Sequence, residues 1–249
     1  MLRILLLCLT LLPSLTAANE APDIIFIVAD DMGWGDAGCY GGDRIPTPNI
    51  DRLAAEGVRC TDFYVPQPLC APARAATLTG REPRRNGVHN KTIVGRTRMK
   101  VLLPPSEILL PQELAAGGYR SIAVGKWNLG FAPEVRPLQR GFDHFFGHPS
   151  GGLYFTEGQM KPAYSYYDGN EPQQHDGYSA ELYTDGLIRH ARPIDKPIFV
   201  WAAYGNPHSP AGPNTRKDWA QQRHLDRFPQ LEGRRRQYAA SVSSLDDEV

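Results

Sequence analysis

Three short apolar runs, each closing on polar residues, constrain the fold of this chain most. Asp23-Ile24-Ile25-Phe26-Ile27-Val28-Ala29 ends at Asp30-Asp31, Ser121-Ile122-Ala123-Val124-Gly125 leads into Lys126, and Pro197-Ile198-Phe199-Val200-Trp201-Ala202-Ala203-Tyr204 leads toward His208. The runs are short, abruptly bounded and not interrupted by alternating polar residues. They read as strands buried on both faces, the pattern of a parallel sheet. Helix signals lie between them. Thr47 to Gly57 offers a capping threonine, Pro48 in the first turn and a glycine past the end, with Ile50, Leu53 and Ala54 on one face. A second helix is expected over Pro111 to Ala116, stopped by Gly117-Gly118, and a third over Tyr178 to Ala191, with Leu182, Leu187 and Ile188 inward. A fourth begins near Arg235 and is still running at Val249. Strands alternating with helices give an α/β fold, a mainly parallel sheet flanked by helices. Ligand sites in such sheets gather at the C-terminal edge of the strands, where Asp30, Asp31, Lys126 and His208 fall.

The 249 residues carry 27 basic and 27 acidic side chains, so no overall field argues for nucleic acid or an anionic membrane. Basic clusters are local: Arg81, Arg84 and Arg85, then Arg234-Arg235-Arg236. The first is the better candidate for touching an anionic substrate. Residues 1–18 read as a signal peptide: Arg3 precedes an apolar stretch from Ile4 to Leu12 that is too short to span a bilayer, Pro13 breaks it, and Thr16-Ala17-Ala18 supplies small residues for cleavage. The chain is therefore expected to be exported, to a periplasmic, secreted or lysosome-like compartment, with no integral membrane segment after cleavage. The stretch from Pro149 to Pro172, with Tyr154, Tyr164, Tyr166 and Tyr167, reads as an irregular insertion.

Cys70-Ala71-Pro72-Ala73-Arg74 opens a helical turn that continues through Leu78-Thr79-Gly80-Arg81. Pro72 suits a first turn and Gly80 a helix end. Cys70 then sits where unpaired N–H groups and the macrodipole favour an anion, and Arg74, one turn on, can lean back toward it. The bland alternative is a buried free cysteine.

The Cys-x-Pro-x-Arg pattern with its Leu-Thr-Gly-Arg continuation resembles the sulfatase signature, whose cysteine is oxidised to formylglycine by a formylglycine-generating enzyme. Three further blocks strengthen the resemblance. Asp30-Asp31-Met32-Gly33-Trp34-Gly35-Asp36 is similar to the family's N-terminal block, Gly125-Lys126-Trp127-Asn128-Leu129-Gly130 to the block usually written Gly-Lys-Trp-His-Leu-Gly, and Asn206-Pro207-His208-Ser209-Pro210 to the block supplying a histidine. The resemblance implies an alkaline phosphatase-like sulfatase domain over residues 19–249. It implies a sulfuric ester hydrolase acting on a sulfated small molecule or glycan. Asp30, Asp31 and residue 70 would hold calcium or magnesium, for which hard oxygen ligands are suited. Cys70, as a hydrated aldehyde, would attack sulfur, Arg74 and Lys126 would stabilise the sulfuryl oxygens, and His208 would protonate the leaving alcohol.

Two departures stand out. Asn128 replaces the family histidine, and an amide cannot accept a proton near neutral pH. The later Ser-Asp-Asn-Gly block, which supplies two further metal ligands, has no counterpart, so the sequence is expected to cover an N-terminal part of the family domain, with a sheet incomplete at its C-terminal side. Alternatives remain: a non-catalytic relative that binds sulfated glycans, or a phosphoester or phosphonate hydrolase of the same superfamily. With Cys70 set aside, an exported chain has Cys39 and Cys60 left as a candidate disulfide, although spacing does not say whether they approach.

Overall fold

The computed structural model describes residues 21–90, 102–149, 166–192, 195–209 and 219–249. The signal-peptide reading, Tyr154 and Tyr164 lie outside them. Six strands form one sheet in the order β1-β6-β2-β3-β4-β5. These are β1 (Ile24–Asp30), β2 (Arg120–Lys126), β3 (His144–His148), β4 (Tyr166–Asp168), β5 (Glu171–Gln173) and β6 (Ile198–Pro207). The first four in spatial order are parallel, with Phe26 opposite Trp201, Ala123 opposite Trp201, and Lys126 opposite His148. β4 and β5 add an antiparallel ribbon beside β3.

Helices cover both faces: α1 (Pro48–Glu56), α2 (Cys70–Thr79), α3 (Leu110–Ala115), α4 (Ser179–Ala191), α5 (Gln222–Leu225) and α6 (Gly233–Asp247). Alternation along the strands divides the core. Phe199 and Trp201 of β6, with Ala123 and Phe145, pack under Ala71, Ala75 and Leu78 of α2. Ile198, Val200 and Ala202, with Ile122, Val124 and Phe146, pack under Tyr183 of α4 and Leu245 of α6. Burying these side chains from both sides is the main stabilisation, and it makes β6 buried along its whole length.

Four sequence expectations are corrected here. β1 is an edge strand among the described residues, and its alternate side chains reach solvent, with Ile25 55% and Ile27 38% exposed. An unbroken apolar run fits a half-covered strand as well as a buried one. In α1, Leu53 is 49% exposed and no residue is fully buried. The helix is held at its start instead, where the Asp246 carboxylate accepts the N–H groups of Asn49 (3.1 Å) and Ile50 (2.9 Å). In α4, Leu182 and Leu187 pack half-buried against the core as expected, beside the fully buried Ala180, Tyr183 and Gly186, whereas Ile188 faces solvent at 52% exposure. The expected insertion contains β4 and β5, so Tyr166 and Tyr167 are strand residues.

β2 and β3 approach closely at a pair of glycines. Gly147 lies opposite Gly125, and a Cβ on Gly147 would sit 2.0 Å from the Gly125 carbonyl oxygen. The tight pairing brings the strand ends that follow, Lys126 and His148, side by side.

Candidate active site

The C-terminal ends of β1, β2 and β6 converge. Asp30 is the last residue of β1 and is buried, whereas Asp31 turns away in the left-handed region at φ 63° with its side chain 65% exposed. Aspartate and asparagine tolerate that region better than other side chains. Asn128, just past β2, adopts it too, at φ 58°. Lys126 is fully buried, and its ammonium forms a salt bridge with Asp30 Oδ2. His208, past the end of β6, donates from Nδ1 to the Ser209 carbonyl (2.7 Å) and turns Nε2 to Asp31 Oδ2 at 3.5 Å.

Helix α2 brings the remaining groups from the other side of the sheet edge. It starts at Cys70 and ends on Gly80, whose φ of 62° terminates it. Leu69 at the cap position supplies no side-chain acceptor, so the first N–H groups of the helix are left toward the cleft. Arg74 is buried. Its Nη1 donates to the Lys126 carbonyl (2.6 Å), and its Nη2 lies 3.7 Å from Asp30 Oδ1. Asp30, Asp31, Cys70 and Arg74 together line one cleft of about 270 Å³, floored by Phe26, Val28 and Trp201.

Burial by itself would raise the Asp30 carboxyl, but the Arg74 and Lys126 charges outweigh it and hold Asp30 below the usual carboxylate range. Among the described residues, Arg74 Nη2, Asn128 Oδ1 and His148 Nε2 are buried in this region without a hydrogen-bond partner, as are Gln67 Oε1 and Trp201 Nε1 of the cleft lining. Such atoms are costly to leave unmatched. Asp30 and Asp31 offer hard oxygens of the kind calcium and magnesium take, so the donor chemistry fits such an ion. Among the described residues no third His, Cys, Asp or Glu joins them in a metal cluster, Cys70 included.

Two sequence readings are corrected at this point. Arg81 does not face the cleft. It pairs with Glu107 at the opposite end of α2, at 2.8 and 2.9 Å. Cys39 and Cys60 are both free thiols, so the candidate disulfide is not formed. Sequence reasoning also passed over His148. Its only signal was the short segment Phe145-Phe146-Gly147-His148, too brief to stand out as a strand.

The sulfatase family profile matches residues 22–249. The chain belongs to the sulfatase family. It is 36% identical to mouse N-acetylgalactosamine-6-sulfatase, over 98% of this chain and 49% of that protein. It is 37% identical to mouse arylsulfatase J, over 94% and 39% respectively. Among solved structures, Ps i-CgsB superposes with a TM-score of 0.82 at 30% identity, covering 92% of this chain and 53% of that one. BT4656, solved with its substrate D-glucosamine-2-N,6-O-disulfate, gives 0.68 at 28% identity, over 85% and 38%. This sulfatase-family chain thus spans about half the length, or less, of these relatives. Its mainly parallel sheet with flanking helices is the alkaline phosphatase-like sulfatase fold.

Proposed function

We propose that the protein hydrolyses a sulfate ester carried by a glycan or a small molecule. The observation that carries this reading is the convergence of Arg74, Lys126 and Asp30 beside Cys70 at the start of α2. Oxidised to formylglycine by a formylglycine-generating enzyme, residue 70 would supply a hydrated aldehyde as nucleophile. A calcium or magnesium ion held by Asp30 and Asp31, with residue 70, would draw charge from the sulfuryl oxygens.

The chain's own residues have distinct tasks in this reading. Arg74 and Lys126 bind the anionic sulfuryl group and stabilise the charge that develops on it. Both are already in place before substrate arrives, because Asp30 and the Lys126 carbonyl hold them. The N–H groups at the start of α2 favour the same anion. His208 gives the departing alcohol its proton from Nε2, since Nδ1 is committed to the Ser209 carbonyl. Asn128, where relatives of this pattern carry histidine, binds through its amide without moving a proton. That replacement favours one second reading, a relative that holds sulfated glycans and cleaves them slowly or not at all. Export belongs to the proposal as well. Among the described residues no helix is long and apolar enough to cross a membrane.

The test is expression in a host with a formylglycine-forming system, followed by mass spectrometry of the peptide containing Cys70 and assay of sulfate release. Loss of the thiol, gain of an aldehyde and release of sulfate are expected. An unmodified cysteine, in a host that converts another sulfatase, would defeat the assignment of residue 70 as nucleophile.

A further inference from the structure

His148 ends β3 directly beside Lys126, its partner in the parallel register, so the two side chains leave the sheet on the same face. The main chains are bonded as well, with Trp127 N–H donating to the His148 carbonyl (3.0 Å) and Asn128 N–H to the Pro149 carbonyl (3.2 Å). The imidazole is 5% exposed. One nitrogen, Nδ1, meets the Tyr183 hydroxyl of α4 at 2.6 Å, and the two rings stack at 6.0 Å with an interplanar angle of 15°. The other nitrogen, Nε2, has no partner among the described residues.

A histidine kept only for packing would have both nitrogens satisfied or one in solvent. Here one is clamped and the other is buried and unmatched. The charged groups that act on the ring are Lys126, Arg74, Asp30 and His208, the same set that forms the site. Nε2 is on the side of the ring away from Nδ1 and therefore away from Tyr183. Burial keeps the Tyr183 phenol protonated far above its usual range, so it has a proton to give. A Tyr183 O–H donating to Nδ1 leaves the imidazole proton on Nε2.

We propose that His148 is a substrate-binding residue, donating its Nε2–H to a sulfuryl oxygen, with Tyr183 as the positioning residue that fixes the tautomer. The inference rests on the sulfate-ester reading above and deepens it. A neutral donor adds a hydrogen bond to the anion without adding a third cation beside Arg74 and Lys126. It also gives the site an imidazole in a chain whose position 128 lacks one, although from β3 rather than from the end of β2. The Arg74 Nη2 donor, paired with Asp30 Oδ1 at 3.7 Å but without a hydrogen bond, is suited to share the same anion.

The full chain, labelled with nitrogen-15 at histidine, is titrated with inorganic sulfate and followed by long-range proton–nitrogen spectra, with calorimetry alongside. His148 is expected to show a protonated Nε2 and an unprotonated Nδ1, with Nε2 shifting as sulfate saturates. H148Q, whose amide NH₂ can take the place of Nε2–H, should keep sulfate affinity within about threefold, and H148L should weaken it by about tenfold to a hundredfold, the value of a hydrogen bond to a charged group. Y183F should leave a mixture of tautomers and an intermediate affinity. If sulfate binds by calorimetry while the His148 nitrogens do not move, His148 is not a ligand and the sulfatase reading stands. If sulfate does not bind the wild-type chain, the His148 proposal falls, while the sulfate-ester reading is decided separately by the aldehyde at residue 70 and by sulfate release. The spectra of the wild-type chain decide the matter even if a variant fails to fold.

Discussion

Replacing Asp246 with alanine should unfasten the two ends of the chain from each other. Asp246 is 1% exposed on α6, yet its carboxylate caps α1, nearly two hundred residues earlier in sequence, by accepting Asn49 N–H at 3.1 Å and Ile50 N–H at 2.9 Å. Thr47, the residue at the cap position, makes no such bond. Its hydroxyl accepts from Gly38 N–H (2.9 Å) and donates to Asp51 Oδ1 (3.1 Å). Without the Asp246 carboxylate the two N–H groups lose their acceptor. Helix α1, nine residues long with none fully buried, then keeps at its start the Asn49 Nδ2 bond to the Asp246 carbonyl (2.8 Å) and the bonds that Asp51 accepts from Cys39 N–H and the Thr47 hydroxyl. A lost cap costs about 0.5–2 kcal/mol and a hydrogen bond to a buried charge about 1.5–3, so D246A should destabilise by about 2–4 kcal/mol. For a chain of this size that is a fall in Tm of about 5–15 °C. Urea denaturation should show a lower midpoint at unchanged m, and amide exchange at Asn49 and Ile50 should accelerate more than elsewhere. D246N, keeping one acceptor oxygen, should lie about halfway. A change below about 0.5 kcal/mol in D246A, with exchange at Asn49 unaltered, would refute the capping argument.

Two further outcomes follow from particular contacts. G147A should abolish soluble folded protein or cost about 3 kcal/mol or more, because the new Cβ would meet the Gly125 main chain at 2.0 Å, whereas G35A, with open space around it, should be near neutral; equal midpoints for the two would count against the close approach of β2 and β3. Burial first, then the Lys126 and Arg74 charges, push His148 down to about 3 from its ordinary 6.5. The unfolded imidazole therefore takes up a proton that the folded one refuses. Stability is full above about pH 6.5 and is lost by up to about 1.4 kcal/mol per unit as pH falls from there toward 3. In H148L the slope between pH 6.5 and 4 should be shallower than in wild type, read from urea midpoints at each pH, and an identical slope would show the imidazole to be solvated.

The polar ends of three strands were legible because an apolar run that stops abruptly at Asp30, Lys126 or the His208 loop reports both the strand and the edge it points to. The start of α2 was legible for a different reason: Pro72 and Gly80 bracket a helix by backbone geometry alone. What stayed hidden depended on the third dimension. Ile24 to Ala29 reads the same whether a strand is covered on one face or both, so the exposure of Ile25 and Ile27 had no local signal. The leucine spacing of α4 indicated the inward side through Leu182 and Leu187, but it encoded neither the exposure of Ile188 nor the full burial of Tyr183 above two strands. His148 was invisible because β3 is five residues long and its tether, Tyr183, is 35 residues away.

The ion pair at the heart of the cleft joins two strands with unequal mechanical support. Among the described residues, Asp30 rides on β1, bonded to a neighbour on one side, while Lys126 belongs to β2, held by β6 and β3 on either side. Opening motions of the sheet should therefore start where the carboxylates are, and the cationic wall should stay put. Any ligand that bridges the two would act as a weld across β6, lengthening the lifetime of the closed sheet edge as well as occupying the cleft. Its arrival should be visible as slower amide exchange along β1 as far as Ile24 and Ile25, which lie outside the cleft lining.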